Sequence, residues 1–428
     1  MQPSAATKTK NSILHLATYP PRECGIATFT RDLITAFNKK YNPVTKAKVI
    51  ALNENSSAHY NYPSAVATAI NADDLKSYVE LAEKINNQRS VKLVNIQHEF
   101  GIFGGNWGDY LVPFFQTVKK PVIVTLHSVL PAPDERLKDT VNFIGARARA
   151  LVVMNARSKK ILETDYQIPK SKLSLIPHGI PQTNFEPAKI AKSALGLENK
   201  TVLSTFGMLN RDKGIEYVLG ALPPLIKKFP ELIYLIVGAT HPVVLRDEGE
   251  EYRNFLLNET ERLGLKDHVK FYNRYVTLDE IVKYLKATDI YLSTALNPNQ
   301  SVSGTLSYAL GCGRASISTP SEYAKEIIKE GENGMLVKFN DSKSVTVALA
   351  KLLADDKKLM DMHKNAYEET RHMTWPNVAA SYAKLYEKFA GISPEERKLP
   401  EIKFDHVFRL TDEFGILQHA TYDKPHRR

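Results

Sequence analysis

Two stretches of this 428-residue chain gather residue types that hold phosphate. In "STFGMLNRDKGIEYVLGAL" (204–222), Gly207 ends an apolar run, and Arg211 and Lys213 stand just before a helical pattern. Fixed positive charges beside helix N–H groups are one way to grip a diphosphate, although the same residues also make an ordinary solvated basic turn. The spacing is not that of a P-loop, since G-x-x-x-x-G-K-[ST] does not occur. In "ALNPNQSVSGTLSYALGCG" (295–313), Ser301, Ser303, Gly304 and Thr305 form a small-residue loop ahead of a helix. Its N–H groups could cradle phosphate oxygens or simply begin the helix in the usual Ser-capped way. Gln300 and Tyr308 flank this loop, and neither carries a charge.

Three further loops carry polar chemistry. "TYPPRECGIATFTRDL" (18–33) places Gly25 between a strand and a helix, where a backbone without Cβ admits a ligand closely and the helix N-terminus favours anions. The alternative is a glycine required only by the turn. "NIQHEFGIFGGNWG" (95–108) and "VTLHSVLPAPDE" (124–135) each put a histidine at a strand end. His98, Glu99 and His127 could bond hydroxyl groups or accept a proton; a lone histidine is also commonly a packed residue.

These loops need strands to position them, and the pattern supplies them. "SILHLAT", "AKVIALN", "VKLVNIQ", "PVIVTLH", "ALVVMN" and "LSLIP" alternate with amphipathic segments. After about residue 186 the series restarts with "KTVLSTFG", "LIYLIVG", "VKFYNR", "DIYLST" and "ASISTP". Short, wholly apolar strands separated by helices are the mark of parallel sheets covered on both faces. The reading is therefore α/β, with two doubly wound Rossmann-like domains facing a cleft. Their expected extents are 1–185 and 186–373, with a helix over 374–391 crossing back to the first domain. Residues 392–428 read as a tail or linker. In such sheets ligands bind beyond the carboxyl ends of the strands, where all five loops lie.

Composition narrows the class. A chain this long exceeds what one core usually serves. With 43% hydrophobic and 24% charged residues it has the apolar surface for two. The net charge of +10 suits phosphorylated ligands, anionic lipid or nucleic acid. Nucleic acid is disfavoured, because no basic stripe is interleaved with aromatics and no zinc-finger or RNA-binding motif occurs. Two cysteines, Cys24 and Cys312, make no disulfide framework and read as structural thiols in a reducing compartment. The first residues lack the apolar run of a signal peptide, and no 18-residue apolar stretch occurs. The expectation is a cytoplasmic protein, at most peripheral to a membrane.

Taken in order, the motifs resemble glycosyltransferase family four, retaining transferases of the GT-B fold, over roughly residues 12–388. The marks are the Gly25 loop, His127, "SLIPHGIPQTNF", "FGMLNRDKGIEYVLGAL" and "YALGCGRASISTPSEYAKEIIKEGENGMLV". The resemblance implies that Arg211 and Lys213 hold the donor diphosphate, that Gly25 and Gly207 lie against it, and that His127 contacts the transferred sugar. Met208 stands where the family usually has an arginine. The family's two glutamates, eight positions apart, align with Gln300, on the sugar side, and Tyr308, on the ribose side. "YPPRECGIATF", "QHEFGIFGG" and "SGTLSYALG" look like a bacterial subgroup with this replacement. There "HVFRLTDEFGILQHATYDKP" resembles the lead-in to a further domain, so the tail could serve a separately encoded partner.

The implied activity is transfer of a hexosyl group, mannose or glucose, from a nucleotide sugar to a carbohydrate or glycoconjugate acceptor. His127 and Gln300 would be catalytic, and His98 and Glu99 would lie on the acceptor side. The donor would be held by Gly25, Gly207, Arg211, Lys213, Ser301, Ser303, Gly304, Thr305 and Tyr308. The resemblance implies no metal and no cofactor, and no Asp-x-Asp occurs. Two alternatives stay open. A phosphorylase-like enzyme using phosphate or a sugar 1-phosphate needs no ribose grip, and a non-catalytic carbohydrate-binding subunit needs no carboxylates.

Overall fold

The computed structural model of the chain describes residues 11–42 and 44–390. The expectations for 392–428 lie outside the described residues. The chain divides into two units: one runs to Ile176 and resumes at Ala379, and the other spans Pro177–Val378.

The first unit is built on β1 (Asn11–Ala17), β2 (Thr45–Asn53), β3 (Val66–Asn71), β4 (Val91–His98), β5 (Val122–Leu126), β6 (Ala150–Val153) and β7 (Leu173–Leu175). They form one sheet in the order β3-β2-β1-β4-β5-β6-β7, with every pairing parallel. The second unit repeats the plan with β8 (Thr201–Phe206), β9 (Leu232–Val237), β10 (Val269–Tyr272), β11 (Ile290–Ser293), β12 (Ala315–Ser318) and β13 (Gly334–Leu336). Its order, β10-β9-β8-β11-β12-β13, is again wholly parallel. In both sheets the winding reverses once, between β1 and β4 and between β8 and β11. These switch points open a crevice beyond the strand ends, which is where ligands enter such folds.

Central strands are apolar because both faces are covered. "LIYLIV" in β9 is buried at every position, and β5 likewise. The edge strands β3 and β13 do not stand out in the sequence for the same physical reason. β3 is half-exposed along most of its length, and β13 is only three residues long, so neither forms an apolar run.

One face of the first sheet packs Leu14, Leu16, Ile96 and Val124 against Tyr78, Leu81, Phe114 and Val141. The other face is polar yet buried: His15, Asn95, Gln97 and Thr125 have no exposed surface. Burial of such groups is tolerated only with partners. Most come from the helix Trp375–Phe389. The Asn95 amide donates to Tyr386 Oη at 2.7 Å, Thr125 lies 3.0 Å from Tyr382 Oη, and Thr125 donates to Asn95 at 3.2 Å. Each bond contributes on the order of 1 kcal/mol, and Phe37 adds ring packing on Tyr386 at 5.6 Å.

The boundary between units falls at 176/177, ahead of the expected 185/186. The reason lies in the turn His178–Ile180. Ile180 donates its N–H to Met373, Trp375 donates to Ile180, and a Cβ on Gly179 would sit 2.2 Å from the Trp375 ring. That backbone pairing commits the segment to the second unit. The same helix passes from one unit to the other at Val378/Ala379.

Candidate functional site

In the second unit, β8 ends at Phe206 and the chain turns through Gly207, whose φ of 123° lies in the region that favours glycine. The turn closes through a short 3₁₀ segment, Arg211–Lys213, and Gly214 at φ 59°. This geometry sends the two basic side chains to different partners. Arg211 is exposed and engaged: its guanidinium reaches Glu251 at 3.2 Å and Glu248 at 3.7 Å, and lies 5.7 Å over the Tyr252 ring. Lys213 is half-buried and folds back over the glycine. A Cβ on Gly207 would meet Lys213 Nζ at 3.1 Å and the Thr305 methyl at 3.3 Å. The Lys213 ammonium has neither hydrogen bond nor ion pair among the described residues. Its burial lowers the pKa from the ordinary lysine value, opposed by the charge of Asp212. Of the expected pair, only Lys213 is left facing the loop.

Across the switch point, β11 is followed by Thr294–Ser303 and the helix Gly304–Gly311. Ser303 caps that helix, its hydroxyl accepting the Leu306 N–H at 3.3 Å. It also lies 3.3 Å from Thr305 Oγ1. The N–H groups of Gly304 and Thr305 find no acceptor among the described residues, as expected for a first helical turn. The Gln300 amide is half-buried, with no side-chain partner among the described residues, whereas its carbonyl accepts Tyr323 N–H at 3.1 Å. Ser301 is half-buried beside it.

Tyr308 lies deeper than the sequence implied. Only 6% of it is exposed, and its ring stacks on Phe206 at 6.5 Å and meets His178 edge-on at 5.8 Å. The helical register turns position 308 toward the core, one turn behind the Ser303–Thr305 amides. His178, which the sequence reading quoted without singling out, also supports this helix. Its Nδ1 donates to the Gly179 carbonyl at 2.8 Å, and burial lowers its pKa to about 4, so the ring is neutral. A Cβ on Gly304 would stand 3.1 Å from Nε2 of that ring, which is why the helix begins with glycine. Cys312 is buried, and its thiol is pushed up to about 11 by that burial, so it is an inert packing residue.

In the first unit the loop after β1 runs into the helix Gly25–Tyr41, capped by Cys24, whose sulfur accepts the Ala27 N–H at 3.4 Å. Gly25 is exposed, is not in a left-handed conformation, and would find nothing within 4 Å of an added Cβ. The turn itself does not require it; what glycine leaves there is open space at a helix N-terminus. After β4, Glu99 accepts the Phe100 N–H at 3.0 Å and the Ser128 hydroxyl at 2.6 Å, and burial raises its pKa. After β5, His127 is 7% exposed, 2.9 Å from Gln97 Oε1 and edge-on to Phe29 at 4.8 Å.

His98 is placed otherwise than expected. It has no exposed surface, stacks on Phe103 at 5.4 Å and abuts Phe100 at 5.1 Å. Neither ring nitrogen has a partner among the described residues, and burial lowers its pKa to about 4. The ring presents no surface to a ligand here and packs beneath the glycine-rich loop that follows. Among the described residues no group of His, Cys, Asp or Glu is disposed to hold a metal ion, and no helix is long and apolar enough to cross a membrane.

Residues 187–369 match the family described as glycosyl transferases group 1. The chain is 25% identical over 218 residues to the phosphatidyl-myo-inositol mannosyltransferase of Mycolicibacterium smegmatis, which covers 50% of this chain and 52% of that one. It is 25% identical over 255 residues to the D-inositol 3-phosphate glycosyltransferase of Corynebacterium urealyticum, covering 58% of each. The chain thus spans little more than half the length of these relatives. Among solved structures, Anabaena HepE in complex with UDP superposes with a TM-score of 0.69 at 16% identity, over 88% of this chain and 100% of that one. Sucrose-phosphate synthase of Thermosynechococcus elongatus gives 0.70 at 18% identity, over 88% and 98%. At such identities the likeness is one of fold. The segment carrying Gly207, Lys213 and the Gly304 helix is accordingly a domain of the group 1 glycosyl transferases, in a chain with the two-unit parallel-sheet fold of the GT-B glycosyltransferases.

Proposed function

We propose that the protein is a retaining, metal-independent glycosyltransferase that moves a hexosyl group, mannose or glucose, from a nucleotide sugar to a carbohydrate or glycoconjugate acceptor. The observation that carries this reading is the unpaired Lys213 ammonium at the β8/β11 switch point. A half-buried cation without a counter-ion is costly, and an anionic ligand offsets the cost. The N–H groups of Gly304 and Thr305 open onto the same crevice and suit the oxygens of a diphosphate. As the bond to the sugar breaks, charge accumulates on the leaving diphosphate. Lys213 and these amides stabilise it without reorganising.

In this reading Gln300 bonds a hydroxyl of the transferred sugar as a neutral group. On the first unit Glu99 and His127 serve hydroxyls, and Gly25 leaves open space at a helix N-terminus. Arg211 contributes only if it leaves its carboxylate partners. Tyr308 and His98 act from behind, holding the loops that carry Gln300 and Glu99. Relatives that transfer mannosyl and glycosyl groups, and HepE, solved with UDP and glucose, support the donor class.

The burial of Tyr308 favours a second reading, since no side chain at that position is then offered to a ribose. A phosphorylase-like enzyme would use the same phosphate cradle. The test is the thermal stability of the protein against UDP, GDP, ADP, their glucose and mannose conjugates, hexose 1-phosphates and phosphate. It is followed by NMR assignment of the anomeric configuration of any product. Stabilisation by one nucleotide family and an unchanged anomeric configuration are expected. Response to phosphate and sugar phosphates alone would replace transfer by phosphorolysis.

A further inference from the structure

The loop after β9 approaches the Lys213 turn so closely that the two form one surface. Gly238, at φ 150°, would bring a Cβ to 2.1 Å from the Gly207 carbonyl. Beyond it Leu209 pairs with Thr240 as a parallel bridge, Leu209 donates to Ala239 at 2.8 Å, and His241 donates its N–H to Leu209 at 2.9 Å. The loop is held from below by Arg253, which donates to the Gly238 carbonyl at 2.9 Å and to Thr240 at 3.3 Å, and pairs with Glu250 at 3.1 Å. Its backbone is therefore fixed before any ligand arrives.

On this fixed loop sits an imidazole with one ring nitrogen engaged by the backbone. His241 Nδ1 accepts the Val243 N–H at 3.3 Å, capping the helix Pro242–Glu248. A neutral ring that accepts at Nδ1 carries its proton at Nε2. That Nε2–H is half-buried and has no acceptor among the described residues. Burial, and then the charge of Lys213, lower the ring's pKa from the ordinary histidine value, which favours the neutral form; the backbone pairing of the two turns brings the loop of His241 against the glycine over which Lys213 folds. A cation and an N–H donor on two paired loops at strand ends, neither with a protein partner among the described residues, are what a phosphoryl group bonds.

We propose that His241 is a second side-chain donor for the anion met by Lys213, binding a phosphate oxygen of the nucleoside diphosphate through Nε2–H. The inference rests on the function proposed above. It adds a contact from β9, outside the loops singled out in the sequence.

The test is calorimetric titration of the full chain with UDP, GDP and ADP, for the wild type and for His241→Ala, His241→Gln and Lys213→Ala. His241→Ala should weaken the diphosphate that binds by about tenfold or more, the effect of one bond to a charged group. His241→Gln, whose amide can reach the Nε2 position, should recover most of it, and affinity for the bare nucleoside should not change. On the wild-type protein, ¹⁵N NMR of the ring should find the proton on Nε2, with that resonance moving on saturation. Should the alanine variant prove unstable, the NMR arm decides alone. If Lys213→Ala weakens binding while His241→Ala leaves it unchanged, or if the Nε2 resonance does not move, His241 is not a ligand and the proposed function stands. If the wild type binds none of the three diphosphates, the function reading fails, and the role of His241 with it.

Discussion

Replacing Lys213 by methionine separates binding from folding, because the two effects should carry opposite signs. The side chain keeps its stem but loses an ammonium that is half-buried, has no counter-ion among the described residues and is held below its usual pKa by desolvation. A lysine with a lowered folded-state pKa destabilises the fold at every pH where it is charged, and that cost disappears only in alkali. At pH 7 the ligand-free variant should therefore be as stable as the wild type or more so. Its response to a diphosphate should collapse. A ligand at 100 times its dissociation constant stabilises the wild type by about 2.7 kcal/mol. For a unit of about 200 residues that is a rise of roughly 5–11 °C in Tm. Loss of a charge-assisted bond costs about 1.5–3 kcal/mol of affinity. At the same ligand concentration the variant then gains only about 1.3 down to about 0.3 kcal/mol, or between about 1 and 5 °C. Paired thermal melts with and without the nucleotide read both quantities. A variant that melts lower without ligand yet shifts as far as the wild type would refute the reasoning, by showing Lys213 to be a structural residue.

Gly238→Ala should destabilise the second unit by about 3 kcal/mol or more, since the new Cβ would overlap the Gly207 carbonyl at 2.1 Å in a backbone conformation that L-residues avoid; urea unfolding measures it. His98 remains neutral in the fold down to about pH 4 but titrates near 6.5 when unfolded, so its burial makes stability fall as the pH drops through that window. His98→Phe, between Phe100 and Phe103, should flatten the fall, and melts from pH 7 to pH 4.5 with an unchanged slope would contradict it.

The fold was legible because central parallel strands must be apolar throughout, as "LIYLIV" is, and because each glycine or histidine of interest follows such a run. Two of the four edge strands, β3 and β13, escape the same rule. Legibility stopped at side-chain direction. Nothing local to "NRDKG" says that Arg211 will find Glu248 and Glu251 while Lys213 turns back over Gly207; the carboxylates arrive from almost forty residues away. Position 308 fits the spacing of a family ligand, yet helix register and the His178 ring decide that it faces the core. His98 and His127 look alike as strand-end histidines, and only the aromatic loop that folds over His98 distinguishes them. Nothing local marks His241 either, because the loop pairing that brings it to the Lys213 turn, Leu209 with Thr240, has no signature in either segment.

The route of the helix Trp375–Phe389 has a consequence for biosynthesis. The first unit lacks Tyr382 and Tyr386 until nearly the whole described chain has been made, and until then Asn95 and Thr125 have no partner for their inner polar atoms other than each other or solvent. The second unit is contiguous from Pro177 to Val378 and becomes complete earlier. On the ribosome the usual order, N-terminal portion first, is thereby reversed at the last step. The chain that emerges first waits, with part of one sheet face lacking its polar partners, for a helix whose Tyr382 is encoded 257 residues after Thr125.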